Sequence, residues 1–268
     1  MFQGKVAIVT GASSGLGAVL AEELAKAGVH LALFARREDK LMATAARCRT
    51  LGARVVTVVG DVTRVDDCRH VVTEAVTEYG RVDYFMAIAG ISMWAKFEEV
   101  EDVGVFRKLM ETNYLGVVNG VHAVLPEIKK TKGMIVAISS IQGKIGVPLH
   151  TGYVASKHAV LGFFEALRIE LDGTGVAILT VLPHWLRGTD LRQNAFGKNG
   201  EALGESSLSH NKESISLEDC SVAILKAMKK RKRELVIPWK LRALPWLNLI
   251  NPRIVAWLVK GKVNQQDR

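Results

Sequence analysis

The sequence has few cysteines, and nothing in their arrangement indicates a crosslink or a metal site. Cys48, Cys68 and Cys220 are odd in number, widely spaced and without a CxxC pair. This pattern favours reduced thiols in an intracellular protein over a disulfide framework or a zinc site. The seven histidines show no HExxH or other ligand spacing, so we predict no metal centre.

Long hydrophobic runs are also missing. No uninterrupted apolar stretch approaches the ~20 residues that a membrane-spanning helix requires. Met1-Phe2-Gln3-Gly4 leads directly into an apolar run that is typical of a first strand, with no signal-peptide pattern. We therefore predict a cytoplasmic protein, with contact at a membrane surface left open by the tail described below.

Acidic residues are scarce in one region only. Residues 1–228 carry 25 basic and 25 acidic side chains, whereas residues 229–268 carry 11 basic and 2 acidic ones. The formal net charge of +9 therefore lies in the last forty residues. This distribution predicts a neutral domain with a cationic tail, and no fold pattern accompanies it that would indicate nucleic-acid binding.

Short β-branched runs alternate with helical patterns along the chain. The alternation predicts one doubly wound α/β domain of Rossmann type over residues 1–238, with a parallel seven-stranded sheet and helices on both faces. Residues 186–216 lack periodicity and are predicted to form a mobile flap over the substrate, and 239–268 form an extension. Predicted strands lie at 5–10, 29–35, 54–59, 83–88, 133–138, 176–182 and 234–237, and predicted helices at 15–28, 38–51, 65–80, 103–130, 152–172 and 217–231.

The turn after the first predicted strand is rich in glycine and opens a helix. Glycines permit a tight turn and let the backbone approach a pyrophosphate, which the helix N-terminus stabilises. This context favours a dinucleotide site over a simple βα turn. The residues concerned are Gly11, Ser13, Ser14, Gly15, Leu16 and Gly17.

The second predicted strand ends in Ala35, followed by Arg36 and Arg37. An acid at this place would bind the ribose 2′-hydroxyl of NAD, whereas arginine accommodates the 2′-phosphate of NADP. We therefore predict NADP(H) as the cofactor, with Arg36 as the specific contact. Arg37 is either a second contact or a solvated surface charge.

Tyr153 and Lys157 are one helical turn apart, with Ser140 thirteen residues before the tyrosine. Residues at i and i+4 share a helix face, so the ammonium group is expected to lower the pKa of the phenol. A serine beside the pair could hold a carbonyl oxygen. The set predicts carbonyl–alcohol redox chemistry.

The whole pattern resembles the short-chain dehydrogenase/reductase superfamily over residues 4–237. Within it, the Ser139–Lys144 segment and the arginines after strand two resemble 11-beta-type hydroxysteroid dehydrogenases and a related membrane-associated dehydrogenase/reductase group. The resemblance also implies a homodimer or homotetramer. It is carried by the TGASSGLG turn, Asp61-Val62, Ala89-Gly90, Asn113, Ser139-Ser140, the YVASK segment at 153–157 and Pro183.

The resemblance assigns a role to each matching residue. Tyr153 would be the general acid or base, and Ser140 would bind the substrate oxygen. Lys157 would bind the nicotinamide ribose, and Asn113 would hold a water in a proton relay to Lys157. Further cofactor contacts would come from Asp61 at the adenine, Thr189 at the nicotinamide carboxamide, and Val62, Ala89, Gly90 and Pro183.

Three departures from the family pattern stand out. The usual Asn-Asn-Ala-Gly after strand four is Ala87-Ile88-Ala89-Gly90, and the usual Pro-Gly after strand six is Pro183-His184. One extra residue separates Pro183 from Thr189. We expect the first change to alter cofactor affinity or stability, and the others to reshape the nicotinamide and substrate side.

The side chains expected around the substrate are mainly apolar, which favours a lipophilic ketone or alcohol. Each aromatic could equally be a core residue, and His184 could be a loop histidine without a catalytic task. The predicted walls are Met93, Trp94, Phe97, Ile141, Leu149, His184, Trp185 and Leu186.

The tail 239–268 holds three of the five tryptophans, interleaved with lysine and arginine. This mixture is typical of an interfacial helix on anionic lipid, and Pro245 and Pro252 should break it into short pieces. Packing on the domain or on a subunit partner is an equal alternative.

The sequence leaves two candidate functions for the protein: an NADP(H)-dependent oxidoreductase, or a catalytically idle dinucleotide-binding scaffold or sensor.

Overall fold

A computed structural model describes residues 2–204 and 214–264, with the side chains of 262–264 not described. The predicted flap and tail therefore lie partly outside the described residues. Seven parallel strands form one sheet in the order β3-β2-β1-β4-β5-β6-β7. The strands are β1 Val6–Thr10, β2 His30–Ala35, β3 Val55–Val59, β4 Tyr84–Ala87, β5 Met134–Ile138, β6 Ala177–Pro183 and β7 Glu234–Ile237.

Helices cover both faces of the sheet, as the alternation predicts. Two apolar clusters fill the two layers, one on each face of the strands. The helices are α1 Gly15–Lys26, α2 Glu38–Thr50, α3 Val65–Tyr79, α4 Gly104–Met110, α5 Gly116–Thr131, α6 Thr151–Glu170, α7 Leu217–Lys229, α8 Ala243–Ile250 and α9 Pro252–Asn264.

The strand order reverses at β1, which pairs with β2 on one side and β4 on the other. In open parallel sheets, ligands bind in the crevice beyond the carboxyl ends of the strands at such a switch point. The glycine-rich turn follows β1, so the topology places it at the mouth of that crevice.

The long helix predicted over 103–130 is interrupted. A π-helical turn, Glu111–Leu115, joins α4 to α5. Single π turns inside helices often accompany functional sites, and this one contains the predicted catalytic Asn113.

The described part of the predicted flap is fixed by hydrogen bonds at several points. Phe196 donates its backbone N–H to the Ser92 carbonyl at 2.9 Å, and the Phe196 carbonyl accepts from the Trp94 N–H at 2.8 Å. Leu186 forms a bridge with Ile215 at the other end. The described part of the predicted flap, 186–204, therefore lies on the segment after β4, and its mobility stays a prediction.

The extension folds into two helices that pack on each other and on the domain. Pro245 lies in the first turn of α8 and does not break it, because the first-turn N–H groups have no intrahelical partner to lose. Pro252 begins α9. Within the described residues, no helix is long and apolar enough to cross a bilayer.

Candidate active site

A cavity of about 760 Å³ opens beyond the carboxyl ends of the strands. It brings together most of the residues that the sequence singles out, although they come from separate parts of the chain. The predicted residues that line it are Gly11, Ser13, Ser14, Gly15, Leu16, Gly17, Arg36, Arg37, Asp61, Val62, Ala89, Gly90, Trp94, Ser140, Tyr153, Lys157, Pro183, His184, Trp185, Leu186 and Thr189.

The turn after β1 requires glycine at two places for steric reasons. A Cβ on Gly17 would lie 2.2 Å from the Gly11 carbonyl oxygen, and one on Gly11 would lie 2.9 Å from Ala89 Cα. Gly11 also has a φ of 68°, which side-chain-bearing residues rarely adopt. The turn leads into the N-terminus of α1, which favours an anion, so this end of the cavity fits a dinucleotide pyrophosphate.

Two arginines stand beside this turn. Arg37 donates from Nη2 to Ser14 Oγ at 2.6 Å and lies 3.5 Å from Ser13 Oγ. Arg36 Nη1 lies 3.6 Å from Asp61 Oδ2 in a partly exposed ion pair. The structure therefore ties Arg37 to the phosphate-binding turn, whereas Arg36, the arginine that we favoured as the specific contact, lies against Asp61.

Thr189 lies at this turn as well. Its side chain is 3.8 Å from the position of a Cβ on Gly15. That contact places Thr189 next to the start of α1, where it lines the cavity.

Ser140, Tyr153 and Lys157 are buried together at the inner end of the cavity. Ser140 follows β5, and its Oγ lies 3.4 Å from the Pro183 carbonyl oxygen and accepts from the Gln142 N–H at 3.2 Å. Tyr153 and Lys157 lie on α6, and the Lys157 Nζ is 5.5 Å from the centroid of the Tyr153 ring. Lys157 donates to the Ile138 carbonyl at 3.0 Å.

Burial controls the protonation of this group. It raises the pKa of Tyr153 to about 12, against a lowering contribution from the hydrogen bond with Ser140. It lowers the pKa of Lys157 to about 8. Desolvation therefore sets the direction of the Tyr153 shift, and a lowering of this pKa by Lys157 stays a prediction.

Asn113 does not line the cavity, within the described residues, but it braces the wall from behind. Its Oδ1 accepts from the Ile91 N–H at 2.8 Å, and its Nδ2 donates to the Ile91 carbonyl and to Ser156 Oγ, both at 2.9 Å. A Cβ on Gly90 would lie 3.2 Å from Asn113 Oδ1 and 3.6 Å from Lys157 Nζ. Gly90 therefore lies between the Asn113 amide and the Lys157 ammonium group.

The altered residues after β4 have a compensating partner. Thr10 Oγ1 donates to the Met86 carbonyl at 3.2 Å and accepts from the N–H groups of Ile88 and Ala89 at 2.9 and 3.1 Å. This hydroxyl fixes the end of β4 to the end of β1 without the asparagine side chains of the family pattern.

The substrate end is built from fewer of the predicted residues than expected. Trp94, His184, Trp185 and Leu186 line the cavity, but other predicted walls do not, within the described residues. Met93 is buried behind Tyr153 and accepts from the Gly152 N–H through Sδ. Ile141 packs under the C-terminal helices. Leu149, whose backbone φ is 67°, and Phe97, whose side chain is exposed, are likewise not among the described residues that line the cavity.

Two residues that the sequence analysis overlooked stand at this end. His150 is buried between Trp94, Trp185 and Tyr153, and burial lowers its pKa to about 4. Its Nδ1 lies 2.9 Å from the Pro148 carbonyl. Arg192 lies over the Trp94 ring. The position of His150, three residues before Tyr153, was a usable signal, whereas no motif marks Arg192.

Comparison with known proteins agrees with this geometry. The family model described as short chain dehydrogenase matches residues 5–200. The 11-beta-hydroxysteroid dehydrogenase-like 4A of Arabidopsis thaliana is 37% identical over 254 residues, covering 94% of this chain and 82% of the plant protein. A dehydrogenase/reductase SDR family protein 7-like of Dictyostelium discoideum is 32% identical, covering 96% and 81%.

Solved structures show the same fold. A short-chain dehydrogenase/reductase of Burkholderia phymatum in complex with NAD has a TM-score of 0.82 at 24% identity, covering 94% of this chain and 95% of that one. An alcohol dehydrogenase of Thermococcus sibiricus complexed with 5-hydroxy-NADP has a TM-score of 0.74 at 27% identity, covering 87% and 95%. Taken together, these findings show that the chain belongs to the short-chain dehydrogenase/reductase family of oxidoreductases, within the group named for 11-beta-hydroxysteroid dehydrogenases.

Proposed function

We propose that this protein is an NADP(H)-dependent oxidoreductase that interconverts a lipophilic ketone and a secondary alcohol. The observation that carries the proposal is the convergence of Ser140, Tyr153 and Lys157 at the inner end of one cavity whose other end holds a phosphate-binding turn and two arginines. When bound, the nicotinamide would supply the hydride; the protein would position it and handle the proton.

The side chains of the protein carry out the remaining steps of the reaction. The Tyr153 hydroxyl donates its proton to the carbonyl oxygen in reduction, and the Ser140 hydroxyl holds that oxygen by a hydrogen bond. Lys157 is fixed by the Ile138 carbonyl on the same helix face as Tyr153. Asn113, through Ser156 and Ile91, holds the wall beside Lys157 and acts as a positioning residue.

The protonation of Tyr153 supports the reductive direction. A phenol with its pKa raised to about 12 is protonated at neutral pH and is ready to donate. Oxidation of an alcohol would require its phenolate first. The raised pKa therefore suits Tyr153 to the proton-donating step of ketone reduction.

The two arginines should decide the cofactor. We expect Arg37→Ala to raise the KM for NADPH about 10- to 100-fold, since a hydrogen bond to a charged group contributes ~1.5–3 kcal/mol. The KM for NADH should rise less, because NADH shares the pyrophosphate but lacks the 2′-phosphate. Steady-state kinetics with both cofactors measure the two KM values. The same measurements on Arg36→Ala give the contribution of Arg36 to NADPH binding. Equal effects on NADPH and NADH, or a native preference for NADH, would contradict the assignment.

We further propose that the C-terminal helices contact an anionic membrane surface, from which an oily substrate could enter. The extension packs on the domain through Leu241, which precedes α8, and through Leu244, Leu247 and Val255 of α8 and α9. Its outer side is apolar and aromatic, with Trp239, Trp246 and Trp257 being 78%, 70% and 74% exposed. Lysines and arginines accompany them, a combination that favours the lipid interface.

Replacing the three exposed tryptophans with serine should remove this contact and leave the inner packing intact. We expect co-sedimentation with vesicles containing anionic lipid to fall at least about fivefold, because tryptophan anchors helices at the interface. The matched control replaces Phe97, Val103 and Val65, which are exposed elsewhere on the domain. Unchanged co-sedimentation of the tryptophan variant would instead favour packing on a partner subunit.

A homodimer or homotetramer is also proposed. The Tyr114 ring on the π turn packs against the Phe163 ring on α6, and Ile169 on α6 is exposed. Sedimentation velocity of the purified protein tests this, and a monomer at all concentrations would contradict it.

A further inference from the structure

The substrate end of the cavity contains a cation held among aromatic rings. The guanidinium Cζ of Arg192 lies 4.1 Å from the centroid of the Trp94 ring and 5.9 Å from that of Trp185. The two indole rings are themselves 5.9 Å apart. Arg192, Trp94 and Trp185, together with His150, form what we call the aromatic–arginine cluster, and all four residues line the cavity.

The backbone fixes Arg192 in this position. It lies in a turn in which Asn194 donates to the Asp190 carbonyl at 2.9 Å and Ala195 donates to the Arg192 carbonyl at 3.0 Å. The next residue, Phe196, is hydrogen-bonded on both sides to the segment that carries Trp94. The guanidinium is therefore presented by a supported turn.

The cluster continues to the catalytic group. The His150 ring is 4.7 Å from the Trp94 ring and 6.3 Å from the Tyr153 ring, measured between centroids. A molecule whose carbonyl lies at Ser140 and Tyr153 would thus pass His150 and Trp94 before it reaches Arg192. The route is bordered by the His150 and Trp94 rings and ends at a positive charge.

Both acidic and basic side chains lie near the substrate end of the cavity, and Lys108 is a second cation there. Lys108 Nζ lies 5.6 Å from the centroid of the Phe196 ring. Two carboxylates also line the cavity, Glu111 and Asp190, and Asp190 faces Lys40 at 4.0 Å. A guanidinium binds a carboxylate through a planar fork of N–H groups, and stacking on an indole uses its face and leaves that fork geometry unchanged.

We propose that Arg192 makes this enzyme selective for ketones that carry a carboxylate, separated from the carbonyl by an apolar skeleton. The inference rests on the proposed function and names its substrate class. The ketone oxygen is bound by Ser140 and Tyr153, the skeleton lies against Trp94 and His150, and the carboxylate is bound by Arg192.

The test compares apolar keto acids of increasing spacer length with their methyl esters, using NADPH and the full chain. We expect the wild type to favour the acid by at least about tenfold in kcat/KM, mostly through KM. Arg192→Met should lower kcat/KM for the acid at least about tenfold and change that for the ester less than about threefold. Arg192→Lys should retain part of the preference, since it keeps the charge without the fork.

A matched control and a binding readout separate the possible outcomes. Arg187→Met removes an exposed arginine of the same segment, outside the cavity lining, and should leave both substrates unaffected. Quenching of tryptophan fluorescence by the acid, with NADP+ bound, reports binding independently of turnover, because the oxidised cofactor has no hydride to transfer. A wild-type preference for the ester, or equal losses for acid and ester in Arg192→Met, would overturn the proposal.

The proposed reaction and the carboxylate selectivity can fail separately, and each failure gives a different experimental result. Turnover of neutral ketones without preference for the acid would overturn only the carboxylate selectivity. Arg192-dependent binding of the acid without turnover of any ketone would support the carboxylate site and contradict the proposed reaction. Absence of acid binding together with absence of turnover of every ketone would contradict both.

Discussion

Replacing Tyr153 with phenylalanine is expected to lower kcat for ketone reduction at least about a hundredfold, with little change in NADPH affinity. A positioned proton donor contributes ~10²–10⁴-fold to the rate, and phenylalanine keeps the ring without the hydroxyl. The Tyr153 hydroxyl lies beside Ser140 at the inner end of the cavity. Turnover assays and fluorescence titration with NADPH measure the two quantities.

Tyr114→Phe is the matched control for this variant. Tyr114 lies on the π turn and packs on Phe163, and it does not line the cavity, within the described residues. We expect it to behave as the wild type. If Tyr153→Phe kept most of its turnover, the proton donor would have been assigned wrongly. If wild type and variant both bound NADPH and neither reduced any ketone, the scaffold or sensor alternative would be favoured.

The second large effect is expected from Gly17→Ala. The new Cβ would lie 2.2 Å from the Gly11 carbonyl oxygen and 2.8 Å from its carbon, closer than any real contact. The turn or the first turn of α1 must then move, so that the backbone no longer fits a pyrophosphate. We expect NADPH affinity to fall at least about tenfold, equivalent to ~1.4 kcal/mol.

Gly146→Ala is the control, because a Cβ there meets nothing within 4 Å. Its affinity for NADPH should match that of the wild type. The melting temperature of each variant shows whether the Gly17 change also destabilises the domain. Wild-type NADPH affinity in Gly17→Ala would contradict the role assigned to this turn.

The sequence was sufficient to predict the sheet and to single out Ser140, Tyr153 and Lys157, which the structure brings together in one cavity. Strands with β-branched residues alternate with amphipathic helices, and that pattern alone determines a parallel doubly wound sheet. The spacing of Tyr153 and Lys157 likewise places both on one helix face. Confirmed features are therefore those that depend on local periodicity and on motifs with a fixed geometry.

The substrate end could not be predicted in the same way. Met93 and Trp94 are adjacent in sequence, yet Met93 is buried behind Tyr153 and Trp94 lines the cavity. Only the path of the chain after β4, fixed by the bonds to Phe196, decides which of them faces the cavity. Arg192 reaches its place through the same contact, which no local pattern encodes.

Electrostatics could not be predicted from spacing either. An i, i+4 pair suggests that Lys157 lowers the pKa of Tyr153, but spacing gives no measure of burial. In the structure both residues are buried, and desolvation moves the two pKa values in opposite directions. The direction of the tyrosine shift followed from tertiary packing.

The measurement that tests the central claim most directly is cofactor consumption by the purified protein, with NADPH and NADH compared on a panel of apolar ketones with and without a carboxylate. The proposed function predicts ketone-dependent oxidation of NADPH, at least about tenfold more efficient than that of NADH. Absence of ketone-dependent oxidation of either cofactor, in protein shown to bind NADPH, would contradict it.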